Sequence, residues 1–227
     1  MSSQIIPIQF FAEEAAAWIA AEARSVIAER GLFRVALAGG DTPREVYAAL
    51  ARVGSDIAWP RVQVTFGDER CVPPDDADSN FRMAKESLLD RVSLPAGNVF
   101  RIRGEIRTED AAREYEEKLA AVAARFGEAR YVHDLILLGM GPDGHTASLF
   151  PDSPALDETF RNVIPAVGPK PPPQRITMTF PLINAARKVC FLVKSPEKLP
   201  LVERIVAGDP SFPASRVRAK SVTWLVG

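Results

Sequence analysis

Only two histidines occur in this chain of 227 residues, and they keep different company. His145 closes a glycine-rich run, Gly139-Met140-Gly141-Pro142-Asp143-Gly144-His145. Histidine is the side chain most readily tuned for proton transfer near neutral pH. Asp143, two residues earlier, could orient its ring or stabilise its charged form. The plainer alternative is that His145 caps a helix starting near Thr146. His133 precedes an apolar run; it reads as structural and is assigned no chemistry.

Three further clusters carry reactive or binding side chains. Gly39 and Gly40 lead into Thr42-Pro43 and then a helical stretch. Free N–H groups at a helix start, together with the helix dipole, favour an anion. A tight, well-capped turn would use the same residues, and the Asp41 carboxylate would repel a phosphate. Gly67-Asp68-Glu69-Arg70 places three charges directly after an apolar strand, as either a site or a solvated loop. Arg70 stands out there, since a planar guanidinium suits bidentate phosphate recognition. The segment from Lys194 to Lys198 is the last cluster.

Other chemistries fit less well. Gly139, Gly141 and Gly144 satisfy G-x-G-x-x-G, so a dinucleotide site is a rival. The motif falls late in the chain, however, and Pro142-Asp143 stands where a pyrophosphate would lie. Asp68, Glu69, Asp143 and His145 could gather round a cation, but no pair of histidines has ligand spacing and no Cys-x-x-Cys occurs, so no metal is expected. No G-x-S-x-G elbow is present for a serine triad.

The elements that must position these loops alternate. Ala12 to Arg30 reads as an amphipathic helix ended by Gly31. Strands are expected at Phe33–Leu37, Val62–Phe66, Asp134–Leu138, Arg175–Met178, Val189–Val193 and Ser221–Val226. Helices are expected at Arg44–Ala51, with Thr42 as N-cap, and near Asn80–Asp90, Glu109–Phe126 and Pro196–Val206. Gly67–Ser79 and the proline-rich Pro165–Pro173 read as loops. Arg216 to Lys220 reads as the solvated face of a strand. The pattern is α/β, a mostly parallel sheet with helices on both faces, in one catalytic domain spanning 1–227. Ligands of such sheets sit beyond the carboxyl ends of the strands, where all four clusters fall.

Bulk properties narrow the partners. The 28 Lys and Arg against 29 Asp and Glu leave a net charge of −1, so no nucleic-acid partner is expected. The first apolar run, Ile5 to Phe11, is interrupted by Pro7 and Gln9 and is too short for a signal or a membrane span. Cys71 and Cys190 lie far apart in sequence, which fits a reducing cytoplasm better than a disulfide framework.

Five stretches, in order, resemble the soluble 6-phosphogluconolactonase family, which is related to glucosamine-6-phosphate deaminase. They are Leu37 to Pro43 (LAGGDTP), Phe66 to Val72 (FGDERCV) with Asp78 to Asn80, Asp134 to Pro151 (DLILLGMGPDGHTASLFP), Arg175 to Thr179 (RITMT) and Phe191 to Lys198 (FLVKSPEK). The Ala147 to Pro151 ending is similar to the lactonase branch rather than the deaminase branch. The resemblance implies a Rossmann-like fold of the glucosamine-6-phosphate deaminase and ribose-5-phosphate isomerase type. It implies hydrolysis of a phosphorylated sugar lactone, the second step of the oxidative pentose phosphate pathway, with no organic cofactor. By position, His145 matches the family's catalytic histidine. Arg70, Arg175 and Lys198 match its phosphate-end cations, and Gly39-Gly40 its substrate loop, with Thr42 retained. Two serines common in that loop are here Ala38 and Asp41. An amino-sugar phosphate deaminase or isomerase, and a non-catalytic sugar-phosphate-binding protein, are the alternatives. A monomer or a small homo-oligomer is expected.

Overall fold

The computed structural model describes residues 2–227. In chain order, β1 (Ser2–Pro7), α1 (Phe11–Arg30), β2 (Phe33–Leu37), α2 (Asp41–Val53), β3 (Val62–Phe66) and β4 (Asp68–Arg70) build the first half with α3 (Asn80–Ser87) and α4 (Thr108–Arg125). The second half holds β5 (Leu135–Leu138), β6 (Val163–Val167), β7 (Gln174–Met178), α5 (Phe180–Asn184), β8 (Lys188–Val193), α6 (Leu199–Val206) and β9 (Ser221–Val226). Six strands form one sheet in the order β1-β9-β8-β5-β2-β3, and every pairing in it is parallel. Against this sheet α1 and α2 pack on each other, while α4 packs across β6 and β7. Residues of β2, β3 and β5 are buried throughout, as strands covered on both faces must be.

Strand order reverses between β2 and β5, since the chain steps from β2 to β3 on one side and from β5 to β8 on the other. The β2–β5 ladder stops at Ala36↔Ile136, and the two strands part above it. That parting is the topological switch point at which α/β sheets hold ligands.

Several sequence expectations change. β1 arises in the interrupted N-terminal run as an exposed edge strand, where Pro7 is tolerated because no outer neighbour needs its N–H. The expected loop after Phe66 begins with a strand: β4 pairs antiparallel with β7, and β7 with β6, in a second, three-stranded sheet. β6 takes the start of the expected proline loop, with Pro165 on that sheet's edge. Gly40, not Thr42, is the N-cap of α2, and Thr42 lies inside its first turn. No helix follows His145; Thr146 and Leu149 form an isolated antiparallel bridge instead. Arg216 ends a short 3-10 turn, Pro213–Arg216, and the last strand starts only at Ser221.

Candidate active site

The parted ends of β2 and β5 open a cleft of about 270 Å³. Gly39, Gly40, Thr42, Arg70, His145 and Lys198 all line it, as do Asp68, Asn80 and Lys194. Five segments far apart in sequence thus meet at one place.

His145 is built from its loop upward. Gly141 donates its N–H to the His145 carbonyl (3.0 Å), and Gly144, at φ +74°, donates to the Gly141 carbonyl (3.1 Å). The hairpin so formed folds the ring back over Gly141, where a Cβ would lie 2.2 Å from the ring. A side chain there would displace the ring. The Phe150 ring backs the imidazole at 4.4 Å between centroids. Nδ1 of His145 lies 2.5 Å from Oδ1 of Asp143, which also accepts the His145 N–H at 3.2 Å. Partial burial works to raise the Asp143 pKa, but the bonds from the ring and amide of His145 prevail and hold it below the ordinary carboxylate value. An ionised Asp143 only accepts, so Nδ1 must carry the proton, and a neutral ring presents a bare Nε2.

With no helix after Gly144, the G-x-G-x-x-G run lacks the helix N-terminus on which a dinucleotide pyrophosphate rests. The amides of Gly141 and Gly144 are spent within the hairpin. Gly39 to Thr42 line the cleft at the start of α2, where the first N–H groups have no intrahelical acceptor, and theirs make no main-chain bond among the described residues. Asp41 lines the cleft beside these amides. Its carboxylate is 93% exposed and faces Arg44 at 3.8 Å.

Each glycine of that turn has its own reason. A Cβ on Gly39 would fall 1.9 Å from Oδ1 of Asn80. Gly40 adopts φ 106° and ψ 175°, a region open essentially to glycine alone. The Asn80 amide donates to the Asp68 carbonyl (3.0 Å) and to Asp68 Oδ1 (3.1 Å), while Ser148 donates to Asp68 Oδ2 (2.7 Å). Asp68 therefore ties β4, α3 and the loop beyond His145 together beneath the cleft.

Glu69, next along β4, is buried and turned to α3. It accepts from the N–H groups of Asn80 (2.7 Å) and Phe81 (2.8 Å) and from Ser79 (3.1 Å). Burial raises its pKa despite those bonds. A carboxylate at a helix N-terminus stabilises the helix, so its part is structural. Among the described residues no group of three or more His, Cys, Asp or Glu side chains is placed to share a cation.

The cations divide. Arg70 lines the cleft, anchored to the Asp78 carbonyl at 2.7 Å, and Arg175 is its register partner across β4 and β7. Arg175 stands behind the cleft wall, near Gly168 and Phe150. Burial first, and then the neighbouring Arg70 charge, lower its pKa. Nε of each guanidinium is buried without an acceptor among the described residues, so the pair is short of negative charge. Lys198 donates to the Met140 carbonyl at 3.0 Å, which joins the last cluster to the His145 loop. Lys194 also reaches the cleft but pairs with Glu45 at 2.5 Å. Lys194 and Asp68 fall in the two charged clusters expected to carry binding groups, whereas Asn80 is a cleft residue assigned no role from its sequence context. Its signal in the sequence was the Asp78 to Asn80 stretch that belongs to the family resemblance.

A histidine–carboxylate pair, free helix-start amides and clustered cations around a switch-point cleft define an enzyme site for a small anionic substrate. The chain belongs to the family of glucosamine-6-phosphate isomerases and 6-phosphogluconolactonases, whose model matches residues 9–225. It is 40% identical to the 6-phosphogluconolactonase of Synechocystis sp., over 98% of this chain and 93% of that one. It is 41% identical to the human 6-phosphogluconolactonase, over 81% of this chain and 72% of that one. The crystal structure of the 6-phosphogluconolactonase from Thermotoga maritima is similar throughout, with a TM-score of 0.88, 31% identity and 100% of both chains covered. That from Trypanosoma cruzi gives a TM-score of 0.84 at 30% identity, over 100% of this chain and 96% of that one.

Proposed function

We propose that the chain hydrolyses 6-phospho-D-glucono-1,5-lactone to 6-phosphogluconate, the second step of the oxidative pentose phosphate pathway, with His145 as general base. The observation that carries the base assignment is the bare Nε2 that the ionised Asp143 leaves on a ring lining the cleft. Nε2 takes a proton from water as the water oxygen bonds to C1. The carbonyl electrons pass to its oxygen, and the oxyanion meets the amides of the Gly39–Thr42 turn. Collapse breaks the bond from C1 to the ring oxygen, and the imidazolium returns its proton to that leaving oxygen. General base catalysis of this kind contributes about 10²–10⁴-fold. Asp143 stabilises the transient imidazolium.

Arg70 and Lys198 take the phosphate, with Arg175 adding its charge from behind Arg70, and that remote binding holds the carbonyl in register. The two adjacent guanidiniums, short of negative charge around them, support this placement. No helix among the described residues is long and apolar enough to cross a membrane. Cys71 and Cys190 are free thiols, which suits a cytoplasmic setting.

The test generates the lactone in situ from glucose 6-phosphate with its dehydrogenase and NADP, and reads the product with 6-phosphogluconate dehydrogenase. Product formation well above the spontaneous rate is the expected result. Spontaneous-rate formation with well-folded protein, accompanied by ammonia release from an amino-sugar phosphate, would move the chain to the deaminase branch.

A further inference from the structure

Two buried tyrosines do the same thing at neighbouring strand ends. The Tyr47 hydroxyl, from α2, accepts the Ala38 N–H (2.8 Å) and donates to the Ala38 carbonyl (3.0 Å). The Tyr115 hydroxyl, from α4, accepts the Phe66 N–H (2.8 Å) and donates to the Phe66 carbonyl (3.1 Å). Each hydroxyl supplies both halves of a ladder contact where the sheet has run out of neighbours. β3 is the sheet edge, and β2 has just parted from β5. Both rings are fully buried, and burial is the main force pushing their hydroxyls upward in pKa, so they act as neutral donor and acceptor.

The chain beyond each hook is braced differently. After Phe66, Gly67 is held twice more, donating to the Leu37 carbonyl (3.0 Å) and accepting from the Met178 N–H (2.8 Å), and the chain then enters the β4–β7 ladder. After Ala38, the next main-chain bond within the molecule is the Arg44 N–H to the Gly40 carbonyl at 3.1 Å, already part of α2. Between them stands Gly40, the residue type freest to change backbone conformation, so the flanks set the path of the turn.

We infer that Tyr47 is a positioning residue: its hydroxyl fixes the carboxyl end of β2 so that the Gly39–Thr42 amides meet the oxyanion. This rests on the proposed lactone hydrolysis. Removing the one oxygen leaves two buried backbone groups unpaired, and the turn must shift to satisfy them. The ring, and with it the packing of α2, stays.

The test compares Tyr47→Phe with Tyr115→Phe, which loses the same bonds at the better-braced strand end. Well below its melting temperature, Tyr47→Phe should lose about tenfold in kcat with KM within about twofold, as expected when a contact made only in the transition state is misplaced. Tyr115→Phe should keep both constants within about twofold of the wild type. Amide hydrogen exchange should quicken in Tyr47→Phe at residues 38–42 and not across the sheet. A lower melting temperature with kcat unchanged, or exchange quickened everywhere, would overturn the inference. An inactive wild type would instead sink the lactonase reading, and the exchange pattern would then decide the hook alone.

Discussion

The two histidines sit at opposite ends of the same sheet and meet opposite surroundings. At the carboxyl end, His145 is partly exposed, faces the cleft and holds an ionised carboxylate on Nδ1. At the amino end, His133 precedes β5, is fully buried and shares 2.9 Å with the Thr65 hydroxyl. Burial, and then the charge of Arg34, push the His133 pKa down from 6.5 to about 3. The neighbouring carboxylates diverge as well. Asp134, beside His133, accepts the Arg34 N–H (2.9 Å) and Arg30 (2.8 Å), yet burial raises its pKa. Asp143, beside His145, is lowered. Residue type is the same at the two ends; exposure and partner decide which pair can pass a proton and which pins strands together.

That contrast can be broken at either end. With His145 left in place, the largest effect belongs to His133. Its folded pKa lies below its ordinary 6.5, so its contribution is full above pH 6.5 and is lost as pH falls from there toward about 3. Between pH 6.5 and about pH 5 the unfolding free energy should drop by about 2 kcal/mol. The difference in urea unfolding between the wild type and His133→Gln across that window reads it free of the raised Glu69 and Asp134 carboxyls, and a difference that does not change with pH would mean that His133 takes up its proton in the fold. Next comes Asp143→Asn, which removes the acceptor that fixes the tautomer. Turnover should fall about tenfold to thirtyfold with KM little changed. Unchanged turnover would detach Asp143 from the chemistry. The smallest effect is that of Lys198→Ala, which should raise KM about fivefold to tenfold and leave kcat nearly intact. If KM stays put, Lys198 serves only to hold the Met140 carbonyl.

The carboxyl end was the more legible of the two in the sequence. β2, β3, β5, β8 and β9 are largely apolar runs, and glycines, charges and a histidine lie just beyond three of them, so the site loops declared themselves. What escaped was anything whose residues speak against their role. β4 is Asp-Glu-Arg, three charges in a strand, tolerable because Glu69 is sated by helix-start amides and Asp68 by Asn80 and Ser148. β6 carries a proline admissible only on an edge, and β1 is a polar edge strand. Thr42 has the right chemistry for a cap, but the Gly40 backbone starts the helix two residues earlier. Asn80 and Tyr47 act through contacts with β2–α2 or β4 backbone that no local pattern reveals. Arg175 was expected at the phosphate, and it stands one layer behind, beside Arg70.

The most direct test is the steady-state hydrolysis of the 6-phospho lactone by His145→Ala, with thermal unfolding followed in parallel. Turnover should fall about 10²–10⁴-fold with KM nearly unchanged. Stability should stay within about 0.5 kcal/mol of the wild type, because the ring is partly exposed and packs on Phe150 at the cleft edge. Wild-type turnover by a folded His145→Ala would contradict the base assignment and leave the cleft without its proton acceptor.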